Sequence, residues 1–194
     1  MGKNDITRGK TAKATEHPAV EIGLLGYPDS QDAAIYGLTD LFTVANRLSA
    51  EQGGSGSRQL RVSHWRLNEE GNELERVFDS HMQRPGKLTL LILPPSLETE
   101  PGGETMTRHV RWINDQHAAG TIVCSVCAGA FLLAETGLLS GRAATTHWIH
   151  TETLAKRFPE VLLDTDKLLI DDGDIITAGG VMAWVDLGLS LVDR

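Results

Sequence analysis

The chain has 194 residues, of which 41% are hydrophobic and 23% charged, and a formal net charge of -8; this is the make-up of a globular protein able to bury one good core. No apolar run reaches the ~18 residues that a membrane span needs, and the acidic balance argues against this segment holding a nucleic-acid backbone by itself. Two cysteines and no secretory h-region fit a reducing cytoplasm.

Met1 to Pro18 is polar and rich in Lys and Thr, and reads as a disordered tail ahead of one domain, 19–194. Val20 to Gly26 is a short apolar strand closed by Tyr27-Pro28-Asp29-Ser30. From Asp32 to about Ser49, Ile35, Leu38, Leu41, Phe42 and Ala45 recur at helical spacing. Gly53 to Ser57 reads as a flexible loop, followed by an alternating strand Leu60 to Leu67 and a weaker one at about Leu74 to Phe78. Leu88 to Leu93 is nearly continuous apolar, as a strand covered on both faces must be, and Pro94-Pro95 ends it. A helix from about Glu104 to Ala118 is closed by Gly120.

Next comes Thr121-Ile-Val-Cys-Ser-Val-Cys127-Ala-Gly129, a β-branched run meeting small residues around a cysteine, then the helix-forming Ala130-Phe-Leu-Leu. A nucleophile elbow has this pattern, because a strained strand-to-helix turn needs small flanks, here Ser125 and Gly129. The helix N-terminus beneath such a turn favours thiolate over thiol, so Cys127 is the candidate reactive centre. A buried, inert cysteine is the alternative. Beyond it, Arg142 to Trp148 reads as a short strand with His147 at its end, and Thr151 to Arg157 as a helix. The Asp171-Asp-Gly-Asp174 turn joins a hairpin from Asp166–Ile170 to Ile175–Ala178, and Gly179-Gly180 opens a closing helix, Val181 to Val192. Strand and helix alternate throughout, which gives an α/β sandwich around a mainly parallel sheet, with ligands at the carboxyl ends of the strands.

The run from Cys127 through Ala-Gly-Ala-Phe-Leu-Leu to Thr146-His147-Trp148, with Ile175-Ile-Thr-Ala-Gly-Gly-Val-Met-Ala-Trp-Val-Asp186, resembles the ThiJ/PfpI superfamily of class I glutamine amidotransferase-like domains. Tyr27-Pro28 and Gly37-Leu-Thr-Asp-Leu-Phe-Thr-Val-Ala-Asn46 are similar to the branch fused to AraC-type transcription regulators. The resemblance covers about residues 20–194 and implies a flavodoxin-like sandwich, a cysteine at the elbow, a homodimer, and a small-molecule effector. In the similar regulators a helix-turn-helix pair follows, so DNA would be read only through a C-terminal domain not present here, and the chain is expected to be a fragment or an unusual stand-alone form. The enzymes of this superfamily, including isonitrile hydratases, carry an acid near the start of the first helix in a Leu-Asp-x-x-Gly-Pro run. Ala33-Ala34-Ile35-Tyr36-Gly37-Leu38 matches that run, with Ala34 at the acidic position. Asp32 sits two residues earlier, about 200° round a helix of 3.6 residues per turn, and is a poor substitute.

Cys127 and His147 could form a thiolate–base pair, with the Ala128 N–H and one from the Pro95-Ser96 loop holding an oxyanion. That catalysis would also need an orienter for His147 and a proton donor, which the matching motif does not supply. The same pocket without an acid suits binding, with Asp32, Pro95, Ser96, Cys127, Ala128, His147 and Trp148 as its lining. Ligand sensing is therefore the expectation. A cysteine-dependent hydratase or amidase is the competing class, and a redox protein resting on Cys127 alone is a third. Cys124 and Cys127 spell C-x-x-C, yet Cys124 lies within the strand, so no disulfide is expected. No metal or cofactor is expected either: the pair lacks a second ligand pair, Asp171-Asp-Gly-Asp174 lacks the rest of a calcium loop, and the i, i+3 pairs His147/His150 and His109/Trp112 read as surface coincidence. Trp148 either walls the pocket or fills the core.

Overall fold

The computed structural model describes residues 19–52, 58–81, 86–98 and 100–194. The tail expected over Met1 to Pro18 and the loop expected over Gly53 to Ser57 lie outside the described residues. The elements are β1 (Val20–Leu25), α1 (Asp32–Glu51), β2 (Leu60–Leu67), β3 (Leu74–Asp79), β4 (Leu88–Leu93), α2 (Thr107–Ala118), β5 (Ile122–Val126), α3 (Gly129–Glu135), β6 (Ala143–Ala144), α4 (Thr151–Arg157), β7 (Leu162–Leu163), β8 (Leu169–Asp171), β9 (Ile175–Ala178) and α5 (Trp184–Asp193). Seven strands form one sheet in the order β3-β2-β1-β4-β5-β9-β8, parallel through its centre, with antiparallel edges at β3 and β8. This is the flavodoxin-like α/β sandwich expected.

Chain order explains the layers. From β1 the chain crosses to β2 on one side, and from β4 to β5 on the other, so right-handed crossovers put α1 and α2 on opposite faces of the sheet. α1 packs against α5, and α2 against α3. The apolar stripe of α1 turns Ala34, Ile35, Leu38 and Phe42 inward. β4 lies under helices on both sides and buries Leu88 and Leu90 to Leu93 with Thr89 exposed, in keeping with its nearly continuous apolar run.

Several boundaries differ from expectation, among them the first strand of the hairpin, which is Leu169–Asp171 rather than Asp166–Ile170. The second long helix is a 3-10 turn over Glu104–Met106 before α2 begins, and the last helix starts at Trp184 rather than Val181, after a turn at Gly180. His147 does not end a sheet strand: β6 is two residues long and pairs with β7 in a separate small sheet. Just beyond β6 the chain is tied to the main sheet by a side chain, the Thr145 N–H donating to the Thr177 hydroxyl of β9 at 2.8 Å.

An ion cluster sits in the core at the β3 edge. Arg61, 2% exposed, pairs with Glu21 at 3.3 Å and makes a two-pronged bond to Asp79, while Arg76 reaches Glu21 at 2.7 Å and Asp79 at 3.1 Å. Buried charges persist where each has such a partner. Arg61 holds the Asp79 carboxyl at about 2, below its ordinary 3.8.

Candidate functional site

Cys127 turns the chain from β5 into α3 with φ 53, and only Asp29 joins it among the described non-glycine residues at positive φ. That left-handed conformation is strained for a residue with a Cβ, and both peptide groups around it are tied down. The Cys127 N–H donates to the Ala178 carbonyl at 2.8 Å, and the Cys127 carbonyl accepts from the Thr146 hydroxyl at 2.8 Å and the Ala130 N–H at 3.1 Å. Two positions on, a Cβ on Gly129 would stand 2.6 Å from the Leu93 carbonyl oxygen and 2.7 Å from that of Pro94. Glycine there lets the elbow settle onto the end of β4, as the small flanks in the sequence imply.

The roof is made by two crossed loops. Ser30 and Ser96 form an isolated antiparallel bridge, Gln31 N–H donates to the Pro95 carbonyl at 2.7 Å, and Leu97 N–H to the Asp29 carbonyl at 2.9 Å. The Tyr27 hydroxyl donates to the Pro94 carbonyl, the same oxygen that Gly129 packs beneath. Pro95, Ser96 and Ala128 are all buried here, and neither the Ser96 hydroxyl nor the Gln31 side-chain carbonyl has a hydrogen-bond partner among the described residues.

The electrostatics of the thiol differ from expectation. Burial pushes the Cys127 thiol up, and the N–H groups of Ala128 and His147 only partly hold it back, so desolvation outweighs the helix end that was expected to favour thiolate. Cys124, sealed within β5, is pushed up to about 12 by burial.

His147 meets Cys127 through its backbone rather than its ring. The ring caps the 3-10 turn Trp148–His150, its Nδ1 accepting from the Ile149 N–H at 3.2 Å, and it stacks on Trp148 with ring centres 5.3 Å apart. No described hydrogen bond joins this ring to the thiol. His147 and His150 do face one another, 6.2 Å apart. Trp148 is 73% exposed, which removes the core reading, and with His147, Thr146, Asp166, Lys167 and Gly180 it lines a pocket of about 320 Å³.

Asp32 is turned outward, its side chain 68% exposed and paired with Arg66 at 3.1 Å, while Ala34 is fully buried under the first turn of α1. Four residues at this end of the sheet were missed as site residues: Tyr27, Gln31, Thr146 and His109. Tyr27 follows a strand whose carboxyl end is where such sheets bind ligands, and that rule was signal enough to find it. Helical spacing makes the His109/Trp112 pair a surface coincidence, but His109 is 1% exposed and faces the Tyr27 ring edge at 6.5 Å.

Fold and elbow together define a flavodoxin-like α/β domain with cysteine at the nucleophile position. Comparison with known proteins makes this specific: the model of the DJ-1/PfpI family matches residues 90–194, and the chain belongs to that family. Isonitrile hydratase from Pseudomonas putida is 36% identical over 83 residues, 43% of this chain and 35% of that protein. The HTH-type transcriptional regulator CdhR from Pseudomonas aeruginosa is 35% identical over 83 residues, 43% of this chain and 24% of the regulator. The match thus spans about a third or less of these relatives' length. Among solved structures, an AraC family transcriptional regulator from Pseudomonas putida shares the fold at TM-score 0.64 and 20% identity, over 90% of this chain and 91% of that one. Among the described residues no helix is long and apolar enough to cross a membrane.

Proposed function

We propose that this domain is the effector-binding part of an AraC-type transcription regulator, holding a small molecule at the Cys127 end of the sheet. The observation that carries the reading is Ala34: a fully buried methyl group stands where acid-assisted chemistry would need a carboxylate, and the neighbouring Asp32 is engaged by Arg66. The site around Cys127 offers hydrogen-bond donors and an uncharged thiol, which suits holding a polar group without moving protons through it. Similarity to HTH-type regulators supports the same reading. The domain works in the cytoplasm as a homodimer, and DNA is read by a helix-turn-helix module outside 19–194, since an acidic domain has no means of following a phosphate backbone.

A second reading, a cysteine-dependent hydratase or amidase, is favoured by the strained elbow at Cys127 and by the similarity to isonitrile hydratase. The experiment that separates the two is a thermal-shift screen of small metabolites followed by Cys127→Ser. A sensor keeps its affinity, with stabilisation of about 2.7 kcal/mol at a ligand concentration a hundred times Kd. Multiple turnovers of a bound compound, lost in Cys127→Ser, would establish the enzyme instead.

A further inference from the structure

The ends of β1 and β2 open onto a cavity of about 490 Å³, walled by Tyr27, Pro28, Leu67 and His109 and rimmed by Asp32 and Arg66. Its wall toward the elbow is Tyr27, whose hydroxyl reaches the Pro94 carbonyl and whose ring edge faces His109. Gly26 lets Arg66 lie across the strand end, for a Cβ there would stand 2.7 Å from Arg66 Nε.

His109 comes into this cavity from α2. Neither of its ring nitrogens has a partner among the described residues, so an ordered water, or a ligand group that takes the place of one, has to supply the pairing. Burial lowers the affinity of the ring for a second proton, and a neutral imidazole offers one donor and one acceptor. The Arg66–Asp32 pair sets a donor beside an acceptor at the rim. A carboxylate brings acceptors alone and meets Asp29 and Asp32. An ammonium brings donors alone, leaves the His109 N–H unmet and faces Arg66. A hydroxyl is donor and acceptor at once, and its carbon skeleton can lie against Tyr27, Pro28 and Leu67.

We infer that this cavity is a subsite for a small neutral polyol, with hydroxyls read at the rim by the Asp32–Arg66 pair and at the wall by His109. The inference rests on the effector-binding reading and names the chemical class of the ligand. A pocket of this volume takes a molecule the size of a five- or six-carbon polyol.

The test is a titration of the 15N-labelled chain with xylitol, followed through the imidazole nitrogens. Saturable shifts of the His109 ring are expected while those of His147 stay in place. Asp32→Asn and Arg66→Gln, both at exposed side chains that the fold does not depend on, are each expected to weaken binding about tenfold, or about 1.4 kcal/mol. The inference is overturned if His109 shows no saturable shift by roughly 100 mM xylitol, far above the ~1 mM upper end of ordinary substrate constants. It is equally overturned if ethylammonium or acetate moves His109 in place of xylitol, or if xylitol moves His147 alone. A screened compound that stabilises the protein without touching His109 overturns the polyol subsite and leaves effector binding standing; a screen with no ligand of any kind overturns both.

Discussion

The hydroxyl of Thr146 donates to the carbonyl of Cys127 at 2.8 Å, fully buried, across 19 positions of sequence. Together with the bond from the Cys127 N–H to Ala178, it holds a strained residue from both sides. Thr146→Val keeps the shape and removes the donor, leaving a buried carbonyl with one partner fewer. Because the carbonyl keeps the Ala130 N–H, the expected loss is about 0.5–1.5 kcal/mol of stability, read as a lower denaturant midpoint with unchanged slope.

Alkylation separates the two thiols. Cys127 lies at the turn and Cys124 inside the central sheet, so brief treatment near neutral pH is expected to label Cys127 first, checked by peptide mass mapping. Because burial raises the Cys127 thiol above its ordinary value, its rate should keep climbing as pH passes the usual thiol range. Cys124, at about 12, stays unlabelled in the folded protein. Modification of Cys124 first would sink the elbow assignment.

Replacing His147 distinguishes ring from backbone. Since it is the His147 N–H that lowers the thiol, His147→Ala should leave the pH profile of Cys127 alkylation in place. An imidazole acting as general base would instead cost roughly 100-fold.

Gly129→Ala tests the seat of the elbow. The added methyl would collide with two backbone oxygens, which cannot swing aside as a flexible side chain can. Overpacking of this kind costs typically 1–3 kcal/mol, and a rigid main-chain contact belongs at or above the top of that range. A mutant as stable as the parent in thermal unfolding would show that the elbow sits further from β4.

Acid titration reads the ion cluster. The Asp79 carboxyl is held at about 2 in the folded chain against an ordinary 3.8, so its stabilisation is present above pH ~4 and is lost as pH falls toward 2. The amount at neutral pH is about 2 kcal/mol. Asp79→Asn should lower stability at pH 7 and flatten the decline between pH 4 and 2, measured by urea unfolding across that range.

What the sequence showed and hid follows from the range of the forces involved. The nearly continuous apolar run Leu88–Leu93, the Asp171–Asp174 turn and the small residues around Cys127 are local patterns, and each appears in the structure where it was expected. The orientation of His147 is not local: whether ring or amide meets the thiol depends on how Trp148–His150 coils into a 3-10 turn. The cluster of Glu21, Arg61, Arg76 and Asp79 is assembled from three strands, so no window of sequence contains it. His109 was misjudged because helical spacing reports which residues share a face but not what that face packs against.

The bond from Cys127 to Ala178 also orders events in time. Its partners lie about fifty residues apart, and contacts of such separation form late because loop closure must come first. While the chain is being synthesised, β5 and the elbow emerge well before β9, so the cysteine passes through an interval in which its N–H is not yet tied to Ala178. Docking of β9 ends that interval: the left-handed turn at Cys127 is fixed from its N–H side only when the last strand is in place, and a chain arrested before Ala178 carries an elbow held on one side alone.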